Sequence, residues 1–226
     1  MAMVVAHRGA SAACPPGNTV AAFAEAVIQG ADWVELDAHL TADGEIVVHH
    51  DPVLADGRVL GEMNRSQLPD SIPTLEEALA ACHPLGVNVE IKPDGVIELR
   101  PQLISNVVEL LRSFGTTRQF LVTSFDHEIC DQVRALDATL PTGLLNSSGD
   151  SLLADLQRAA SAGHVAINPW YGTVTKDFVA EAHSLGVAVN VWTVDDPEAI
   201  RLLSGIGVDA IITNVPRLCR EVLSEK

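Results

Sequence analysis

The chain has 226 residues, with 14 Lys and Arg against 30 Asp and Glu, a formal net charge of −16. Apolar residues make up 47% and charged residues 19%, too apolar for a disordered chain, and the length suits one large domain spanning residues 1–226. The acidity argues against tracking nucleic-acid phosphates or docking on anionic membranes, so an anionic substrate would need local positive charge from a bound cation or a few placed basic residues.

In chain order, residues 1–7 are too short and uncharged to read as a signal peptide. No run approaches the roughly 20 apolar residues that cross a bilayer. Cys14, Cys82, Cys130 and Cys219 follow no framework spacing, which reads as free thiols in a reducing compartment. A soluble, cytoplasmic chain is expected, without membrane insertion.

Short apolar runs at residues 3–6, 33–36, 87–91, 120–123, 142–145, 164–167, 187–192 and 209–212 read as strands. Amphipathic stretches at 19–28, 74–82, 98–111, 127–136, 152–160, 176–185 and 198–203 read as helices between them. Alternation of this kind predicts βαβ units and a parallel sheet. Eight strands at this length fit a compact α/β TIM (β/α)8 barrel; an open doubly wound sheet is the alternative. Gly86, Gly115, Gly186 and Gly207 stand where helix C-caps are expected. The irregular stretch 39–72, with a hairpin around Asp43-Gly44, reads as a short insertion after the second strand and a plausible lid or substrate loop.

Active-site residues of such barrels gather at the C-terminal strand ends. Here those ends carry His7-Arg8-Gly9, Glu35 and Asp37, Glu90 and Lys92, Ser124, Asn146, Asn168, Asn190 with Trp192, and Thr213-Asn214. Residues i and i+2 of a strand share a face, so Glu35 points with Asp37 and Glu90 with Lys92. Three carboxylates in one mouth repel one another unless paired or coordinating a metal. An all-carboxylate set suits a hard cation, Mg2+ or Ca2+, with Mn2+ as a further option; a structural salt-bridge cluster is the alternative. His7 and His50 are candidates for proton transfer. His49 should face away from His50, and His39, His83, His127, His164 and His183 read as surface residues. Ser124 lacks a nucleophile-elbow context. Lys92 could form a Schiff base as in barrel aldolases, but its acidic neighbours should raise its pKa and favour a phosphate-binding ammonium.

His7-Arg8-Gly9-Ala10, Asn18-Thr19, Glu35-Leu36-Asp37, His50-Asp51-Pro52, Pro73-Thr74-Leu75-Glu76, Glu90-Ile91-Lys92, Trp192-Thr193 and Thr213-Asn214 with Pro216 occur in one order along the chain. In that order the sequence resembles the glycerophosphodiester phosphodiesterase family, of its bacterial cytoplasmic type. The resemblance implies a TIM barrel that hydrolyses glycerophosphodiesters to glycerol 3-phosphate and an alcohol with one divalent cation. It makes Glu35, Asp37 and Glu90 the metal ligands, His7 and His50 the general acid/base pair, and Arg8 and Lys92 the phosphate-binding residues. From their late strand-end positions, Trp170, Tyr171, Asn190 and Trp192 are candidates for walling the alcohol pocket, with ordinary packing at the rim the alternative for the aromatics. The chain departs from the family at Gly17, where a Glu is usual, and in a shortened segment after residue 52. The expected partner is a small-molecule glycerophosphodiester and no nucleic acid, with the chain a monomer or homodimer. Alternatives are a phospholipase D- or C-like action on lysophospholipid or phosphoinositide, and a catalytically inactive phosphodiester-binding protein.

Overall fold

A computed structural model describes residues 1–225; Lys226, the last residue of the expected 1–226 span, lies outside the described residues. The elements follow the alternation read from the sequence: β1 (Met3–His7), α1 (Val20–Ile28), β2 (Trp33–Leu40), β3 (Ile46–Val48), α2 (Leu75–Ala81), β4 (Gly86–Ile91), α3 (Arg100–Ser113), β5 (Phe120–Ser124) and α4 (His127–Leu136). The second half repeats the unit as β6 (Thr142–Asn146), α5 (Leu152–Ala162), β7 (Ala166–Pro169), α6 (Lys176–Ser184), β8 (Ala188–Val191), α7 (Pro197–Ile206), β9 (Ala210–Thr213) and α8 (Pro216–Ser224).

Eight of these strands are parallel neighbours, in the order β1-β2-β4-β5-β6-β7-β8-β9. The sheet closes because β1 pairs on both sides, Val5 opposite Trp33 of β2 and Val4 opposite Ile211 of β9. This is the TIM barrel expected. The remaining strand, β3, runs antiparallel to the end of β2, with Leu40 opposite Ile46. Residues 39–72 thus comprise the end of β2, β3 and two single-turn helices (Leu60–Glu62 and Arg65–Gln67). Val47, Leu54, Leu60, Met63, Leu68 and Ile72 bury one another there, so the stretch has its own small core.

Alternate residues of each strand face the helices. Val34 and Leu36 pack with Phe23, Leu75 and Leu79 on one side of the barrel, and Leu144, Ile167 and Ile211 pack with Leu156, Phe178 and Ile200 on the other. Each such side chain contributes about 1.5–3 kcal/mol by leaving water. Helix starts are set by side chains that accept from orphan N–H groups: Thr19 from Ala22, Thr74 from Glu77 and Asp126 from Glu128. The other strand face points inward and carries the polar residues.

Four readings change. Helix α8 was not among the amphipathic stretches, although Pro216 at its first turn and the buried Cys219, Val222 and Leu223 are its signature. Gly207 caps α7 in the left-handed conformation, but Gly86 lies inside β4; a Cβ there would sit 2.4 Å from the Trp33 ring, so glycine is needed to admit the indole. His39 is buried, because β2 runs past the barrel into the hairpin and seats the ring against the His50 carbonyl at 3.2 Å. His164 is buried as well, with the Thr142 hydroxyl on Nδ1 and the Asp131 carboxylate on Nε2.

Candidate functional site

The end of β1 turns sharply. Arg8 has φ 55° and Gly9 has φ 81°, and a Cβ on Gly9 would strike the Ala22 backbone at 2.6 Å. The turn brings the Arg8 N–H to 3.0 Å from Glu35 Oε2 and the Arg8 guanidinium Nε to 3.3 Å from Asp37 Oδ2. On β2, Glu35 and Asp37 project into the barrel mouth, and Glu90 projects beside them from β4, whose register places it opposite Asp37. All three are buried, each offering an oxygen within 4.8 Å of the others. Lys92 follows β4 on the same face, its Nζ 3.0 Å from Glu90 Oε1 and 3.6 Å from Asp37 Oδ1.

The electrostatics of the cluster are unbalanced. Burial, then the charges of Asp37 and Glu90, raise the Glu35 carboxyl well above the usual range. Burial and Asp37 push Glu90 up to about 7, against the pull of Lys92. Burial works against the Lys92 ammonium, but Glu90 and Asp37 outweigh it and the net shift is upward, which favours a charged lysine over an aldolase amine. Burial and the Arg8 charge lower His7. Glu90 Oε1 has no hydrogen bond despite its proximity to Lys92, and buried Arg8 Nε is likewise without one; both contacts are close in distance but off the hydrogen-bonding direction. A cluster of three oxygen donors, one without a hydrogen bond, in which the Glu35 and Glu90 carboxyls are raised, suits a hard divalent cation.

These groups, Asp37 excepted, line one cavity of about 270 Å³. Its polar lining is His7, Arg8, Glu35, His50, Asn88, Glu90, Lys92 and Thr123, and its apolar lining is Phe125, Leu145, Trp192 and Ile212. His50 enters from the stretch after β3, and its Nδ1 lies 2.7 Å from Asp51 Oδ1. That bond holds the Asp51 carboxyl below its ordinary range. His49 turns aside, its Nδ1 paired with the Asp51 carbonyl at 2.8 Å. Asp37, 1% exposed, also accepts from Asn18 Nδ2 at 2.7 Å.

The structure therefore brings together His7, Arg8, Glu35, Asp37, His50, Glu90 and Lys92. Of the four residues expected around the pocket, Trp192 lines the cavity, its Nε1 donating to the Asn168 carbonyl at 2.7 Å and its ring edge-to-face with Phe125 at 5.6 Å. Trp170, Tyr171 and Asn190 are outside that lining. Trp170 tilts over Tyr171, with Gly172 bare beneath its ring, and Asn190 donates to Asn168 within the barrel. Asn88 and Thr123 carry no role in the sequence reading, yet they meet across β4 and β5 at 3.0 Å in the cavity wall. Their signal was available for Asn88, which stands two residues before Glu90 on the same strand face. Gly17 has φ 85° and leaves no room for a side chain, since its Cβ would lie 2.9 Å from those of Arg8 and Ser11. In this loop, support for Asp37 comes from Asn18.

The model of the glycerophosphoryl diester phosphodiesterase family matches residues 7–218. The chain belongs to that family. Among its relatives, the glycerophosphodiester phosphodiesterase of Caldanaerobacter subterraneus is 31% identical over 95% of this chain and 94% of its own length. The enzyme of that name from Bacillus subtilis is 28% identical over 97% of this chain and 86% of its own. Among solved structures, an Oleispira antarctica phosphodiesterase in complex with its product sn-glycerol-3-phosphate superposes with a TM-score of 0.90, at 25% identity, over 99% of this chain and 97% of that one. In this chain Glu35 and Glu90 of the acidic cluster line one cavity with His7, His50, Arg8 and Lys92. Among the described residues, no helix is long and apolar enough to cross a membrane.

Proposed function

We propose that the chain hydrolyses glycerophosphodiesters to glycerol 3-phosphate and an alcohol, with a divalent cation and two histidines. The observation that carries this reading is the convergence of Glu35, Asp37 and Glu90 within 4.8 Å, two of them, Glu35 and Glu90, lining a cavity with His7, His50, Arg8 and Lys92. Glu35, Asp37 and Glu90 would hold the cation, Mg2+, Ca2+ or Mn2+, whose charge offsets that of the phosphate as the transition state forms. Arg8 binds phosphate oxygens through its planar guanidinium, and Lys92 contributes a point charge. One histidine takes the proton of the attacking hydroxyl, either from water or from the 2-hydroxyl of the substrate glycerol, the latter giving a cyclic phosphate that water then opens to glycerol 3-phosphate. As the new P–O bond forms and the old one breaks, the other histidine protonates the departing alcohol oxygen. The chain acts as a soluble enzyme of the cytoplasm on a small molecule.

The test is a panel of glycerophosphodiesters assayed with chelated protein and after addition of Mg2+, Mn2+ or Ca2+. Release of glycerol 3-phosphate that returns with a cation supports the reading. Absence of turnover across the panel, or full rate in thoroughly demetallated protein, overturns it. The apolar lining of the cavity, Phe125, Leu145, Trp192 and Ile212, supports a second reading, action on lysophospholipids. Higher rates on micellar than on soluble diesters would favour it.

A further inference from the structure

A chain of hydrogen bonds at the rim of the barrel ends on His7. Asp195 follows β8, and Asn214 follows β9. Asp195 Oδ1 accepts from the Thr213 hydroxyl at 2.9 Å and from the Asn214 backbone N–H at 2.8 Å, while Oδ2 accepts from Asn214 Nδ2 at 2.6 Å. The other end of the same carboxamide, Asn214 Oδ1, stands 2.7 Å from His7 Nδ1 and accepts from the Ser11 hydroxyl at 2.8 Å.

His7 and Ser11 alone do not orient that amide. An imidazole nitrogen and a hydroxyl can each donate or accept, so either end of the carboxamide would satisfy them. Asp195 decides, because a carboxylate only accepts. Turned over, the Asn214 oxygen would face Asp195 Oδ2 at 2.6 Å, two oxygens with no proton between them. The carboxamide oxygen must therefore face His7, and the nitrogen it faces must carry the proton.

We infer that Asp195 is a positioning residue for His7. By fixing the Asn214 carboxamide, it holds the His7 proton on Nδ1 and leaves the Nε2 lone pair free, 3.9 Å from Glu35 Oε2, in the substrate cavity. The inference rests on the proposed reading of His7 as a proton-transfer group: with Nδ1 protonated, the imidazole presents a bare Nε2 to the substrate.

The experiment uses full-length protein labelled with ¹⁵N in histidine, with ring nitrogens followed by long-range ¹H–¹⁵N correlation at about pH 8, alongside steady-state kinetics on glycerophosphocholine. The wild-type protein should show His7 protonated at Nδ1 and bare at Nε2. Asp195→Ala should populate the Nε2-protonated tautomer and lower kcat roughly 10- to 100-fold, with KM nearly unchanged. In Asp195→Asn the Asn214 backbone N–H keeps the new amide's oxygen at the Oδ1 position and turns its NH2 toward the Asn214 carboxamide, which favours the flipped amide, so this variant should shift the tautomer and lose rate as Asp195→Ala does. A wild-type His7 protonated at Nε2, or an Asp195→Ala protein with the wild-type tautomer, overturns the inference. If Asp195→Ala does not fold, the wild-type spectrum and Asp195→Asn still decide. A chain inactive on every diester whose His7 nonetheless shows the expected tautomers rejects the proposed function and upholds the positioning role.

Discussion

Metal-free protein should lose stability as the pH rises through neutrality, and a divalent cation should remove that loss. Glu90 sets the magnitude. Its carboxyl, 4.5 in an unperturbed setting, is pushed up to about 7 by burial and by the charge of Asp37. A carboxyl whose pKa rises on folding binds its proton more tightly in the folded chain than in the unfolded one. Its contribution is fully present below about 4.5 and is lost as the pH climbs through about 7. A shift of about 2.5 units at 1.36 kcal/mol each is roughly 3 kcal/mol. For a domain of this size that corresponds to a Tm lower by about 6–12 °C. Glu35, raised in the same direction, adds to the trend. His7, lowered from 6.5 by burial and Arg8, opposes it below about pH 6.5. Comparison with Glu90→Gln isolates the carboxyl. The assay is calorimetry of chelator-treated wild-type and Glu90→Gln protein between about pH 5 and 8, repeated with millimolar Mg2+, Ca2+ or Mn2+. The wild-type Tm should fall relative to the variant as the pH rises, and a bound cation should flatten the fall while releasing protons from the site. A difference that stays constant with pH, or one that persists unchanged with every cation, refutes the account of the cluster.

Three further outcomes are expected. His7→Ala and His50→Ala should each lower kcat roughly 10²- to 10⁴-fold, the range for acid–base groups, with little change in Tm; a near-normal rate would remove that histidine from the reaction. Phe125→Ala, which takes away a cavity wall and the edge contact on Trp192, should raise KM several-fold at nearly constant kcat, and an unchanged KM would exclude Phe125 from substrate binding. Gly86→Ala drives a methyl group into the Trp33 ring and should cost roughly 1–3 kcal/mol, read as a lower urea midpoint; an unshifted midpoint would show that the indole moves aside freely.

Much of the architecture was legible because a barrel strand and its helix are local objects. The eight apolar runs and the polar residues at their ends follow from patterns a few residues long, and Glu35 with Asp37, or Glu90 with Lys92, share a face by the two-residue period of a strand alone. The same local reasoning misplaced Gly86, because a glycine before a strand and one under an indole look alike until Trp33 is brought over it. It missed α8, whose apolar residues alternate with Arg217, Arg220 and Glu221 in a short segment, and it left His39 and His164 at the surface. Their burial is set by the β2 overrun and by Thr142 and Asp131 from neighbouring elements.

The amino-acid sequence by itself determined which groups stand at the strand ends, because pleat and period are properties of the chain over a few residues. Only the closure of the barrel decided which of them meet. It set Glu90 beside Asp37, Asn88 against Thr123 and Asn214, 207 residues along the chain, against His7. Trp170 and Tyr171 stayed outside the cavity lining while Trp192 entered it. Distances of this kind depend on strand register and side-chain packing around the ring, which no local stretch of sequence contains.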